Sequence, residues 1–165
     1  MNGLAPKQVD RLQQLLLLVE REDHHLRAVA GRFFPEKSDE LTLAWISSQL
    51  DTPEGVDRLE SFGGKFARMQ DTIVHKLLPT YLDALAEDIG AVIDNLNRAE
   101  RLGLVESADS WIAMRRARNR LVHEYIDNPE VLLTELVQAR GFVTQLHATY
   151  LNIKSGVERM LAPHD

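Results

Sequence analysis

The chemistry in this chain concentrates in one stretch, Trp111 to Tyr125, which reads WIAMRRARNRLVHEY. Four arginines stand at positions 115, 116, 118 and 120, and His123 follows them. A guanidinium binds phosphate through two parallel N–H donors and keeps its charge at any physiological pH. A histidine exchanges a proton near neutrality. Together they are the groups that phosphodiester cleavage needs. Arginine stabilises charge building on the phosphate, and histidine moves the proton of the attacking hydroxyl or of the leaving group.

Helical geometry sharpens this reading. At about 100° per residue, Trp111, Met114, Ala117, Leu121, Val122 and Tyr125 fall on one apolar stripe, and Arg118 sits at its centre. A core-facing arginine is costly unless it is paired. Asn119 precedes His123 by one turn, a spacing that would let it orient the imidazole, and Arg116 and Arg120 flank the same side. Arg118 and His123 diverge by roughly 140° on an ideal helix. One straight helix does not easily aim both at one phosphate, whereas a kink or a cleft shared by two subunits would. The alternative is structural: a solvated arginine face, with Arg118 paired to a buried acid such as Asp71 or Glu87, His123 at the surface and Tyr125 at the edge of the core.

The elements that must position this stretch are helical. Prolines at 6, 35, 53, 79, 129 and 163 punctuate the chain, and the segments between them carry helical periodicity. No hairpin signal separates alternating runs. The pattern predicts a first helix over Lys7–Arg32, with Leu12, Leu15, Leu16, Val19, Leu26 and Val29 near one face. A second is expected over Asp39–Leu50, with Leu43, Ile46 and Leu50 as its stripe. Asp51-Thr52-Pro53-Glu54 reads as a helix start, opening a third helix to about Leu78 that Gly63-Gly64 could interrupt. Thr80 is expected to cap a further helix through Leu82, Leu85, Ile89, Ile93 and Leu96, stopping at Leu102-Gly103. Ser107-Ala108-Asp109-Ser110 opens the arginine-bearing helix through Tyr125. Asp127-Asn128-Pro129-Glu130 starts the last helix, to about Met160. Short connections between long helices predict an all-α, antiparallel up-down bundle.

Composition bounds the rest. A chain of 165 residues, 44% apolar and 27% charged, fits one globular domain with a real core. With no cysteine, disulfides, thiolate catalysis, zinc fingers and iron–sulfur clusters are excluded. The run Leu15–Val19 is too short for a signal-peptide core, and no stretch reaches the ~20 apolar residues of a membrane span. The expectation is a cytoplasmic protein without a membrane partner. A net charge of −6 argues against a broad duplex-DNA binder but leaves room for a local basic site.

Other polar features carry less. His24 and His25 are adjacent and diverge by about 100°, so they make poor joint metal ligands. His75 stands among apolar residues and reads as a core or edge histidine, and His147 and His164 belong to no constellation. Gly63-Gly64-Lys65 lacks the strand and the Ser/Thr of a phosphate loop. Asp83, Glu87 and Asp88 lack the Glu-x-x-His pairs of a di-metal bundle. Trp45 and Trp111 read as core or interface anchors. No metal or cofactor is expected.

The string Arg118-Asn119-Arg120-Leu121-Val122-His123-Glu124-Tyr125 resembles the signature of HEPN domains (higher eukaryotes and prokaryotes nucleotide-binding). That signature is an arginine, a common polar residue, a short spacer and a histidine. Four intervening residues and a tyrosine two after the histidine resemble the HepT-like subgroup. The preceding LNRAERLGLVESADSWIAMR, a helix and a Leu-Gly turn before the motif helix, is also similar. The likeness spans roughly residues 55–150. It divides a single domain into an N-terminal helical extension, 1–50, and a HEPN-like core, 51–160.

The resemblance implies a bundle of four or five core helices that homodimerises so that two motif helices line one cleft. It implies a metal-independent endoribonuclease toxin acting on RNA, neutralised by a minimal nucleotidyltransferase that adds AMP to the motif tyrosine. On that pattern Arg118 holds the phosphate, His123 is general acid and base, and Tyr125 is the modification site. Asn119 orients His123 or the RNA, and Arg115, Arg116 and Arg120 support substrate binding. Related bundles lack nuclease activity and serve as partner or substrate-binding subunits of nucleotidyltransferases, which is the alternative expectation.

Overall fold

The computed structural model describes residues 3–123 and 128–163, and within that range the side chains of Val122 and His123 fall outside the description. The described chain is all helical, with no strand among the described residues. Helix α1 spans Pro6–Phe33, α2 Leu43–Leu50, α3 Pro53–Thr72, α4 Leu78–Ala84, α5 Val92–Arg101, α6 Ala108–His123 and α7 Pro129–Leu161.

Local chemistry sets most of the boundaries. Thr52 Oγ1 accepts from Gly55 N at 3.0 Å, ahead of Pro53 in the first turn of α3. Asn128 Oδ1 accepts from Glu130 N and Val131 N at 3.1 and 3.3 Å, ahead of Pro129 in α7. Ser107 Oγ accepts from Ser110 N at 3.2 Å, which starts α6. Gly103 ends α5 at φ 74°, with Leu104 N donating to Ala99 O at 2.8 Å and Gly103 N to Glu100 O at 3.0 Å. That is the left-handed stop that glycine makes without steric cost.

Other expectations differ from the structure. The second helix starts at Leu43 rather than Asp39, because Thr42 Oγ1 caps it through Trp45 N at 3.2 Å, and residues Ser38–Glu40 form a separate 3-10 turn. Gly63-Gly64 does not interrupt α3. Thr80 caps nothing: the chain passes from α3 through a π-helical segment, Ile73–Leu77, straight into α4. Pro79 explains the π turn, because proline offers no N–H to the carbonyl four residues back and its ring crowds that carbonyl.

Nor does one helix run from Thr80 to Leu96. It stops at Ala84, and α5 begins only at Val92. Ala86 takes φ 59°, Ala86 N donates to Asp83 O at 3.0 Å, and Glu87 N reaches back to Leu82 O at 2.9 Å. This is the same stop as at Gly103, made by an alanine. Ile89 and Ile93, expected in the stripe, are exposed. Asn95 closes the connection, accepting from Gly90 N at 2.9 Å and donating to Gly90 O at 3.1 Å.

One core runs through the bundle. Leu12, Leu15, Val19, Leu26 and Val29 of α1 belong to it, so residues 1–50 and 51–160 share a single interior. A chain of rings links four helices: Phe33 to Phe62 at 5.9 Å, Phe62 to Phe66 at 5.6 Å, Phe66 to Phe142 at 6.2 Å and Phe142 to Trp111 at 5.1 Å. Each buried ring stabilises by about 1.5–3 kcal/mol, more where the pair is edge-to-face. Trp111 is fully buried, while Trp45 is partly buried against Phe33 and Phe34. Close helix approach is set by small residues. At Gly156 of α7 an added Cβ would stand 1.9 Å from Tyr81 Oη of α4. No described helix is long and apolar enough to cross a membrane.

Candidate active-site cleft

Helix α6 buries Trp111, Met114, Ala117 and Leu121. Arg115 and Arg118 follow Trp111 and Met114 by one turn, so both lie along the edge of that buried face. Arg118 therefore borders the core rather than entering it, and its side chain keeps 22% of its surface exposed. The facing helix α3 buries Phe62, Phe66 and Met69. It brings Arg68, Asp71 and Thr72 to the same seam, and the π-helical segment adds His75 and Lys76. Between them lies an open cleft of about 630 Å³, also lined by Gly64 and Ala67.

The arginine cluster divides in two. Arg118 Nη2 donates to Asp71 Oδ2 in a close ion pair. Arg115 Nη1 stands 3.9 Å from Asp71 Oδ1, and Arg115 Nη2 lies 3.5 Å from His75 Nε2. Of the two acids weighed for Arg118, Asp71 is the partner. Arg120 points the other way and donates to Glu135, a buried acid of α7. Arg116 is exposed and does not line the cleft. Asn119 Oδ1 accepts from Arg118 Nη1 at 2.6 Å, so its amide oxygen is engaged by the arginine beside it. His123 is the last residue of α6, and its ring lies outside the described residues, as do Glu124 and Tyr125.

The cleft is basic although the chain is acidic. Among the described residues, Arg68, Lys76, Arg115 and Arg118 line it against a single carboxylate, Asp71. A second acid lies behind it: Thr72 Oγ1 donates to Glu22 Oε2 of α1 at 3.0 Å, and Glu22 is buried. Burial pushes the Glu22 carboxyl above the usual range, against the Thr72 hydrogen bond and the fields of Arg68 and Lys76. Two guanidinium nitrogens beside the cleft, Arg115 Nη1 and Arg118 Nε, are closed to solvent and have no hydrogen-bond acceptor among the described residues. Donors left this way are costly unless something anionic meets them.

The sequence reading missed the α3 wall. Of the core and edge positions expected for His75, it takes the edge, exposed in the cleft. A signal existed: positions 68, 71, 72, 75 and 76 repeat at helical spacing beside the buried 66, 69 and 73. Elsewhere His147, expected to belong to no constellation, is paired: its Nδ1 meets Asp23 Oδ2 at 2.9 Å, and Arg27 Nε donates to the same oxygen at 3.1 Å. Among the described residues no group of three or more His, Asp or Glu is placed to hold a metal.

Comparison with family models, curated proteins and solved structures finds no match to this chain. The functional reading rests on the motif residues and on the chemistry of the cleft.

Proposed function

We propose that this protein is a metal-independent endoribonuclease of the HEPN, HepT-like type, working as an antiparallel bundle that homodimerises in the cytoplasm. The observation that carries the reading is the basic cleft along the motif helix. In an otherwise acidic chain, the described residues bring four fixed cations and one carboxylate together around Arg118. Such a cleft favours a phosphate and concentrates positive potential where an acidic protein would otherwise repel RNA.

In the reaction, the ribose 2′-oxygen attacks the adjacent phosphorus. The new O–P bond forms as the bond to the 5′-oxygen of the next nucleotide breaks, giving a 2′,3′-cyclic phosphate and a 5′-hydroxyl. His123 takes the 2′-hydroxyl proton or supplies one to the leaving oxygen. Arg118 stabilises the charge on the non-bridging oxygens. Asp71 holds the guanidinium oriented until a phosphate displaces it. Single-stranded RNA is the substrate class, since its backbone can be bent into the attacking geometry and its bases are accessible. A nucleotidyltransferase partner would silence the enzyme by adding AMP to Tyr125, two residues after His123 in the sequence.

One observation favours a second reading. Arg118 already has two protein acceptors, Asp71 and Asn119, as a structural arginine would. On that reading the chain is a non-catalytic partner or substrate-binding subunit of a nucleotidyltransferase. Arg118→Ala and His123→Ala separate the two. Both should abolish cleavage of single-stranded RNA with helical content unchanged by circular dichroism. A wild-type protein that leaves RNA intact and binds a nucleotidyltransferase equally well with and without these substitutions would favour the second.

A further inference from the structure

We propose that the cleft between α3 and α6 holds a binding subsite for a nucleotide phosphate, separate from the Arg118–His123 pair, with Arg68 of α3, Lys76 of the π-helical segment and Arg115 of α6 as its ligands. Arg68 and Lys76 are exposed on the cleft wall and make no hydrogen bond or ion pair among the described residues. Glu22, the buried acid that feels the fields of both, lies behind Thr72 and is not among the cleft-lining residues. Arg115 lines the same space with its side chain 27% exposed, and its Nη1 stands 3.9 Å from Asp71, too long for a hydrogen bond. Two unpaired cations and a loosely paired guanidinium around a concave space describe an anion site.

The cleft also has room for more than the anion. Its volume of about 630 Å³ falls in the range of small-molecule sites. Gly64 and Ala67 also line it, and a Cβ added at Gly64 would meet nothing within 4 Å. A glycine inside an exposed helical turn costs about 0.5–1 kcal/mol against alanine, so nothing in the packing of α3 calls for it. Without a side chain there, the lining beside Arg68 leaves room for a sugar or base attached to the phosphate.

The phosphate could belong to an RNA strand or to a free nucleotide. The inference rests on the ribonuclease reading only for the first of these. The test measures binding without cleavage, by fluorescence anisotropy of a labelled 2′-O-methyl decauridylate, with AMP as competitor. The variants are Arg68→Ala/Lys76→Ala, which removes the charge, and Gly64→Leu, which adds bulk to the lining and leaves every charge in place. Both sites are exposed, so the folded state should survive, and circular dichroism checks it.

The expected result is at least a tenfold loss of affinity in each variant, with the salt dependence reduced in the double variant only. Competition by AMP at comparable concentration assigns the site to a free nucleotide, and its failure to compete assigns it to the strand. Either supports the subsite. Affinities for both the oligonucleotide and AMP within twofold of wild type in both variants would overturn it. Unchanged affinity with cleavage lost in His123→Ala would remove the subsite and leave the ribonuclease. Weakened binding with no cleavage by the wild type would keep the subsite and remove the ribonuclease.

Discussion

Arg118 of α6 and Asp71 of α3 form an ion pair across the cleft, and Arg115 stands 3.9 Å from the same carboxylate. Asp71 thus occupies the position from which a phosphate would meet Arg118. Both partners are partly exposed, so the pair contributes at most about 1 kcal/mol to folding. Asp71→Asn should lower stability by that amount or less in urea titration. It should also raise affinity for an uncleavable oligoribonucleotide, because it removes the competing anion. Lower affinity in Asp71→Asn would show that the carboxylate positions Arg118 for the ligand rather than competing with it.

Two helices end in the same backbone motif with different residues at its left-handed position. Gly103 has φ 74° and Ala86 has φ 59°. A side chain in that conformation costs roughly 1–2 kcal/mol, glycine much less. Ala86→Gly should therefore stabilise the protein by up to about 1 kcal/mol, after the extra chain entropy of glycine is subtracted. Gly103→Ala should destabilise it by a similar amount. Thermal melts of the two variants should shift in opposite directions.

The approach of α4 to α7 leaves no room at Gly156. Its added Cβ would lie 1.9 Å from Tyr81 Oη and 2.8 Å from Cζ. Gly156→Ala should cost about 1–3 kcal/mol, the usual cost of overpacking. Adding Tyr81→Phe should recover only part of this, since the ring carbon remains too close. Full recovery in a double-mutant cycle would mean that the ring shifts freely once the hydroxyl is gone.

Glu22 gives a pH signature. Its carboxyl pKa is raised in the folded protein, mainly by burial. The neutral form is therefore favoured by folding. This stability is fully present below the ordinary glutamate range and is lost as pH rises through the folded value. Glu22→Gln keeps an acceptor for the Thr72 hydroxyl and removes the charge. The variant should melt higher than wild type at pH 7, and the difference should shrink as pH falls toward 4. A lower melting temperature at neutral pH would show that the charged carboxylate is needed by Arg68 and Lys76.

Trp111 and Phe142 meet edge-to-face at 5.1 Å, and the indole N–H has no acceptor among the described residues. Trp111→Ala should cost about 3–5 kcal/mol. Trp111→Phe should cost clearly less, because no hydrogen bond is lost.

The parts of this fold that were legible in the sequence are those set by a few adjacent atoms. Thr52-Pro53, Asn128-Pro129 and Gly103 mark helix ends because a cap oxygen, a fixed φ or a missing Cβ acts within one turn. The end at Ala86 was not legible, because alanine is an unusual residue for a left-handed stop. The passage through Pro79 was hidden as well, since a π turn absorbs what usually breaks a helix. The motif helix could be read for its stripe and its arginines. Which arginine faces which acid could not, because the partners Asp71 and Glu135 lie 47 and 15 residues away and only packing brings them in. For the same reason the α3 wall stayed hidden, although Arg68, Asp71, His75 and Lys76 share a helical spacing.

The most direct test of the account is cleavage of a 5′-labelled single-stranded RNA by the purified protein in excess EDTA, with His123→Ala in parallel. The account predicts cleavage that EDTA leaves unchanged, products ending in a 2′,3′-cyclic phosphate, and a loss of at least a hundredfold in the variant, the lower bound for removing a general acid–base group. No cleavage by a folded wild type, or equal cleavage by the variant, would contradict it.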